Sequence, residues 1–201
     1  MNVGVLALQG AFIEHIRALN RLGVTAREVR SCNDLDTVDA LIIPGGESTT
    51  IGKLLVRTGL YDAIRIRAAS GMSIWGTCAG MILLGVDVGD TGSRTGESQL
   101  LLRLMDLRLR RNAFGAQLES FETTLEVPAI ADYPVPAIFI RAPVIEAVGA
   151  GVDVLARLPD GRPVAARQGQ YLATAFHPEL TDDLAWHRYF VTSVTARQSA
   201  G

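Results

Sequence analysis

The chain has 201 residues, 48% of them apolar and 20% charged, with a formal net charge of −2. That composition excludes a disordered chain, supplies ample core, and gives no reason to expect nucleic acid as a partner. Two cysteines, Cys32 and Cys78, are too few for a disulfide framework at this length; with no basic, apolar leader and no run long enough to span a bilayer, the expected location is the cytoplasm, away from the membrane.

"NVGVLAL", residues 2–8, is an apolar run of strand length and predicts a buried first strand. "FIEHIRALNRLG" predicts a helix, with Phe12, Ile16 and Leu19 at helical spacing and Gly23 as its stop. "VTAREV" is a second strand and "VDALIIPGG" a third, ending in Pro-Gly-Gly. "STTIGKLLVRTGL" and "YDAIRIRAAS" are helical, "GMSIWG" is a fourth strand, and "AGMILLG" starts a helix. Strands alternating with helices imply an α/β, three-layer fold: a mostly parallel central sheet with flanking helices.

After Gly85 the texture changes. "VDVGDTGSRTGESQ" is rich in Gly, Ser, Thr and Asp and reads as a loop. From Leu104 onward "MDLRLRRN", "FETTLEV", "AIFIRAP", "VIEAVG", "VDVLARL", "PVAARQG" and "YLATAF" predict added strands, some antiparallel, with turns such as Pro-Asp-Gly at 159–161. "TDDLAWHRYFVTSVT" predicts the last helix, with Thr181 and Asp182 as cap candidates and Leu184, Val191 and Val194 on one face. No internal repeat and no linker divides the chain, so one domain over residues 1–201 is expected.

"SIWGTCAG" is strand, Gly-x-Cys-x-Gly, then helix. This is the elbow of serine hydrolases with sulfur in place of oxygen: small residues at 76, 79 and 80 let the backbone turn sharply, and the nucleophile emerges at the carboxyl end of the sheet, where open α/β sheets bind ligands. A helix N-terminus favours the thiolate, the form that attacks. The bland alternative for any free cysteine is simple burial. It is the preferred reading for Cys32 in polar "RSCND"; the flanking glycines favour function for Cys78.

A nucleophilic thiol needs a base. His15 and His187 lie in amphipathic helical patterns, so surface or packing roles are expected for them. His177 ends "YLATAF" and opens "HPE". In an extended segment residues i and i+2 share a face, so Glu179 lies beside the ring and can fix its tautomer, with Pro178 holding the pair extended. Alone, His-Pro-Glu equally suits a strand-end ion pair; its force comes from the elbow cysteine. Attack on an acyl carbon also needs N–H donors for the oxyanion. The amide of Ala79 is one candidate, and the Gly45-Gly46 turn after the third strand offers a second.

"PGGEST", "GTCAG" and "FHPE", in this order and on these elements, resemble class I glutamine amidotransferases, whose sheet is flavodoxin-like and whose Cys-His-Glu triad releases ammonia from glutamine. "GVLALQGAFIEH", "PGGESTT", "WGTCAGMILL", "RNAFGAQLESFE" and "FIRAP" narrow the resemblance to the glutaminase subunits of pyridoxal phosphate synthases, over nearly the whole chain. It implies Cys78 as nucleophile, His177 and Glu179 as its relay, and oxyanion amides at Gly46 and Ala79. It also implies a glutamine site lined by Gly46, Glu47 and Ser48, with Arg111, Ile140 and Arg141 at the amino acid end and Gln9 near the partner surface. An arginine beside an α-carboxylate suits charge and fork geometry in its own right. Arg110 and Arg111 adjoin, and Arg111 is preferred for its distance to Asn112. Ala116 stands where the resemblance leads one to expect a basic residue. The implied partner is a (β/α)-barrel synthase subunit that takes the ammonia internally and that sets the Gly46 amide. No cofactor and no metal are expected; the sole lysine, Lys53, offers no evident Schiff-base site. The rival readings are a glutaminase serving another ammonia acceptor, a cysteine peptidase-like hydrolase on the same fold, and a non-catalytic regulatory or assembly subunit that has kept the fold.

Overall fold

Five strands of one sheet run parallel, and the buried sequences of all but the edge strand say why. In the computed structural model, β1 (Asn2–Leu6), β2 (Thr25–Val29), β3 (Ala40–Ile43) and β4 (Ser73–Thr77) alternate with helices α1 (Phe12–Arg21), α2 (Cys32–Leu35), α3 (Ser48–Thr58) and α4 (Leu60–Ala69). Every residue of β3 and β4 is buried, as expected of parallel strands covered on both faces. The structure describes residues 1–89, 99–111 and 120–199. Most of the expected 86–99 loop and the "NAFGAQ" stretch with Ala116 lie outside them.

After β4 come α5 (Ala79–Leu84), β5 (Asp87–Gly89), β6 (Leu107–Arg110), β7 (Ser120–Leu125), β8 (Val135–Ile140), β9 (Val144–Val148), β10 (Asp153–Arg157), β11 (Pro163–Gln168), β12 (Tyr171–Thr174) and α6 (Ala185–Gln198). The main sheet has the order β10-β11-β12-β4-β3-β1-β2. Strands β2, β1, β3, β4 and β12 are parallel, while β10 and β11 add an antiparallel edge. The antiparallel additions are therefore partly in the main sheet; β5-β6-β9 and β7-β8 form two smaller ones.

The chain leaves β1 towards β2 on one side and reaches β3 on the other. This reversal opens a crevice beyond the carboxyl ends of β1 and β3, the usual ligand position of such sheets. The turns after β1 and β3 meet there: the amide of Ala11 donates to the carbonyl of Gly45 at 3.1 Å. Gly10 has φ +100°, and a Cβ on it would run into that carbonyl, so only glycine fits the crossing.

Three expectations need correction. The loop expected from residue 86 begins with a short strand, β5, which pairs in parallel with β6; backbone pairing overrode its polar composition. Thr181 and Asp182 do not cap the last helix, which starts at Ala185. The hydroxyl of Thr181 turns back to the carbonyl of Pro178, Asp182 accepts from Arg21, and it is Asp183 that receives the amide of Ala185, at 2.7 Å. Finally, His177 and Glu179 are not extended. β12 ends at Thr174, and Pro178–Leu180 is a 3₁₀ turn. Proline at the first position of a turn has no N–H to lose there and its φ suits the turn. Among the described residues no helix is long and apolar enough to cross a membrane.

The elbow between β4 and α5 is packed to contact. A Cβ on Gly80 would collide with the carbonyl of Ile43, and one on Gly76 would meet the backbone of Gly80 at 2.5 Å. Neither neighbour is a movable side-chain tip. Gly80→Ala is expected to lower the free energy of unfolding by about 3 kcal/mol, read as a fall in the urea midpoint; an unchanged midpoint would refute this account of the elbow.

Candidate active site

Cys78 sits between β4 and α5 with φ 47° and ψ −103°, a conformation that residues with a side chain rarely adopt. Its amide donates to the carbonyl of Thr174 on β12 at 2.8 Å, and its thiol faces the carbonyl of Ile140 at 3.9 Å. The strain is held by the sheet on one side and by the glycine contacts of the elbow on the other.

Beyond β12 the amide of His177 donates to the carbonyl of Ile138 on β8, at 2.8 Å. This ties the 3₁₀ turn to the β7-β8 ribbon and aims the ring at the elbow. The imidazole lies beside Cys78 at the cleft and is hydrogen-bonded through Nδ1 to Glu179 Oε1 at 2.7 Å on its far side. Burial works against a charge on His177, but its interactions with the adjacent Cys78 and with Glu179 outweigh it and push its pKa up to about 10. This direction favours the charged ring at neutral pH. Gly45 presses on this pair: a Cβ there would collide with His177 Cε1 and lie 3.3 Å from Cys78 Cβ.

The cleft in front of the thiol has a volume of about 460 Å³ and is lined by Gly46, Glu47, Ser48, Ala79 and Arg111. Gln9, Ile140, Arg141 and His177 complete the set named from the sequence, and Glu179 lies behind His177. Among the described residues the amides of Gly46 and Ala79 meet no protein acceptor, whereas that of Gly45 is spent on Thr77 Oγ1 at 3.0 Å. Gln9 Oε1 accepts the amide of Glu47 at 2.7 Å, which fixes the turn above the elbow.

Glu47 caps α3, accepting the amides of Thr49 and Thr50 at 3.1 and 2.6 Å. Burial raises its pKa, but hydrogen bonds from the hydroxyl and amide of Thr50 and from Thr49 win, and the carboxyl is held below its usual range. Arg111 reaches over this helix start, donating to Ser48 Oγ at 2.5 Å, Thr49 Oγ1 at 2.9 Å and Glu47 Oε1 at 3.3 Å. Arg110 points away and pairs with Glu146 at 2.9 Å, so of the two adjacent arginines the structure brings Arg111 to the cleft. Arg110 is the last residue of its strand, on the exposed face with Arg108, and the chain turns at Arg111. Arg141, at φ 43°, turns the chain just after β8 at the cleft mouth.

Several residues around the cleft escaped the sequence reading. Gln99 accepts from Ser48 Oγ at 2.9 Å and donates to the carbonyl of Ser48 at 3.2 Å, which holds the hydroxyl that Arg111 meets. Nothing in a loop of polar residues marks it. His15 and His187 are fully buried and not on the surface. Their Nδ1 and Nε2 atoms are 2.9 Å apart, and His15 Nε2 lies 3.2 Å from Thr77 Oγ1 and 3.4 Å from Glu179 Oε2. A signal existed: His15 continues the stripe of Phe12, Ile16 and Leu19, and His187 that of Leu184, Val191 and Val194. A polar ring inside an apolar stripe is buried with partners.

Residues 5–196 match the SNO glutamine amidotransferase family. The chain is 60% identical over 191 residues, 95% of its length and 99% of the relative's, to the pyridoxal 5'-phosphate synthase subunit PdxT of Herpetosiphon aurantiacus. It is 56% identical, over 95% of its own length and 99% of the relative's, to the subunit of the same name from a Roseiflexus species. A crystal structure of a glutamine amidotransferase superposes with a TM-score of 0.88 at 48% identity, covering 96% of this chain and 98% of that one. A putative GMP synthase component from Thermoplasma acidophilum shares the fold, with a TM-score of 0.66 at 17% identity over all of this chain and 96% of that one.

Proposed function

The chain belongs to the SNO glutamine amidotransferase family, and we propose accordingly that the cleft in front of Cys78 hydrolyses L-glutamine to glutamate and ammonia, for delivery to a pyridoxal phosphate synthase subunit. One observation carries the chemistry: the Cys78 thiol and the His177 ring, itself hydrogen-bonded to the Glu179 carboxylate, stand side by side in a cleft with an arginine on its wall.

The thiolate of Cys78 attacks the amide carbon of glutamine, and the amides of Gly46 and Ala79 receive the oxyanion. His177, whose raised pKa favours the charged ring, protonates the departing nitrogen. As ammonia leaves, the now neutral ring takes a proton from water, hydroxide attacks the thioester, and glutamate is released. Glu179 keeps Nδ1 of His177 protonated and Nε2 facing the sulfur throughout. Arg111 exchanges Glu47 and Ser48 for the α-carboxylate of glutamine, a bidentate partner of opposite charge. Glu47 stays ionised under its capping amides and faces the substrate ammonium. The product is lost if it escapes into water, where it is protonated; a synthase subunit docked over the cleft mouth, near Gln9, takes it unprotonated.

The test is glutamine hydrolysis by the chain together with the synthase subunit of its own organism, followed by ammonia incorporation into pyridoxal phosphate. Absence of glutamate formation refutes the reaction; glutamate without coupled incorporation refutes the acceptor. Arg111→Met is expected to raise KM for glutamine about 100-fold, the loss of one charge-assisted bidentate contact, with a smaller change in kcat. A fall in kcat at unchanged KM would move Arg111 out of the binding role.

A further inference from the structure

Glu179 has two carboxylate oxygens and only one is accounted for by the triad. Oε1 takes the His177 Nδ1 proton. Oε2 is buried without a hydrogen bond of ordinary geometry, a costly state for an ionised oxygen. The nitrogen facing it is His15 Nε2, at 3.4 Å. The same nitrogen lies 3.2 Å from Thr77 Oγ1, and Thr77 Oγ1 receives the amide of Gly45.

Proton placement follows from the remaining contacts. If His15 carried its proton on Nδ1, its bare Nε2 would face the carboxylate, and His187 Nδ1, which has no partner, would be an orphaned N–H. If His15 carries it on Nε2, that N–H points between Thr77 Oγ1 and Glu179 Oε2, and His187 Nε2–H donates to His15 Nδ1 at 2.9 Å. His187 Nδ1 is then only an unused lone pair, the milder deficit. Trp75 stands edge-on to both rings, with centroids 5.6 Å from His15 and 5.0 Å from His187, and closes the box to water.

We infer that His15 is a positioning residue of the glutaminase site: its Nε2–H holds Glu179 Oε2 and Thr77 Oγ1 together, coupling the triad carboxylate to the Gly45 turn, while His187 fixes its tautomer. The inference rests on the glutaminase reading. Burial first, then the charges of His187 and His177, hold the pKa of His15 well below the usual value, in keeping with a neutral donor. The titratable groups around Glu179 are His177 on its own segment, Cys78 at the elbow, His15 from α1 and, behind it, His187 from α6.

Two measurements test this. Imidazole nitrogen NMR of the substrate-free chain at pH 7.5 is expected to show His15 as the neutral Nε2–H tautomer; the Nδ1–H tautomer or a charged ring overturns the inference. Absence of glutamine hydrolysis by the wild-type chain with the synthase subunit would overturn the functional reading alone, since the tautomer is read without substrate. In that assay His15→Leu is expected to lower kcat about 10- to 100-fold with KM little changed. It is also expected to move the basic limb of kcat/KM down by about one pH unit, because a poorly held Glu179 stabilises the His177 imidazolium less. His15→Gln, whose amide can donate to Glu179 and accept from His187, is expected to recover to within about threefold of wild type. A folded His15→Leu with wild-type kcat and basic limb, or a His15→Gln as impaired as a folded His15→Leu, overturns the inference. Should His15→Leu not fold, the tautomer and the glutamine variant decide: a His15→Gln more than about tenfold impaired overturns it.

Discussion

Cys78→Ala is expected to remove glutamine hydrolysis, with kcat falling by at least about 10⁴-fold, while the fold persists. Among the described residues the nucleophile has no substitute: His177 and Glu179 serve as its base and orienter, and the cleft offers amides, Glu47, Ser48 and Arg111. Ser48 Oγ is engaged with Gln99 and Arg111 and lacks a base. Alanine leaves the φ of 47° and the amide bond to Thr174 in place, so the unfolding midpoint should move little. A second readout belongs to the same variant. Without the thiol the effect of burial on His177 is less opposed, and its pKa should fall from about 10. Residual hydrolysis within tenfold of wild type would mean that the reaction uses another nucleophile.

A steep loss of stability in mild acid is the second large effect. Burial, joined by the charges of His187 and His177, depresses the pKa of His15 well below its ordinary value; burial alone pulls His187 down to about 3. Both rings are neutral in the fold and protonate in the unfolded chain below about pH 6.5. Their contribution is therefore complete above that value and lost as pH falls from about 6.5 towards 3. Two protons give a slope of up to about 2.7 kcal/mol per pH unit, so two units cover a large part of an ordinary folding free energy. His177 acts in the opposite sense. Its raised pKa stabilises the fold fully below about pH 6.5, and that contribution is lost as pH rises through about 10. Stability should peak near neutrality. Urea midpoints at pH 7.5, 6 and 5 test this: a steep fall is expected, with the slope about halved in His187→Leu, and equal midpoints at pH 7.5 and 5 would refute it.

Much of the fold was legible because hydrophobic period is a local property. The runs "NVGVLAL", "ALIIPGG" and "SIWG" are strands buried on both faces, and no polar alternation interrupts them. Element ends were less legible. The last helix begins at Ala185 because Thr181 is drawn to Pro178 and Asp182 to Arg21, contacts that a cap rule applied along the chain cannot see. Glu179 reaches His177 from a 3₁₀ turn, so its partner could be named from spacing while its backbone could not.

For the site, residue types at marked positions were readable: a cysteine between glycines, a histidine two residues before a glutamate, an arginine at a strand end. Each carries its signal in its neighbours. The sequence by itself thus determined the alternation of elements, the elbow and the chemistry that residues 78, 177 and 179 offer. Only the tertiary structure decided which arginine faces the cleft, how Gln99 holds Ser48, and that His15 and His187 stand behind Glu179. The reason is distance along the chain. His15 and His187 are 172 residues apart, and a contact of that span exists only when the sheet between them has closed.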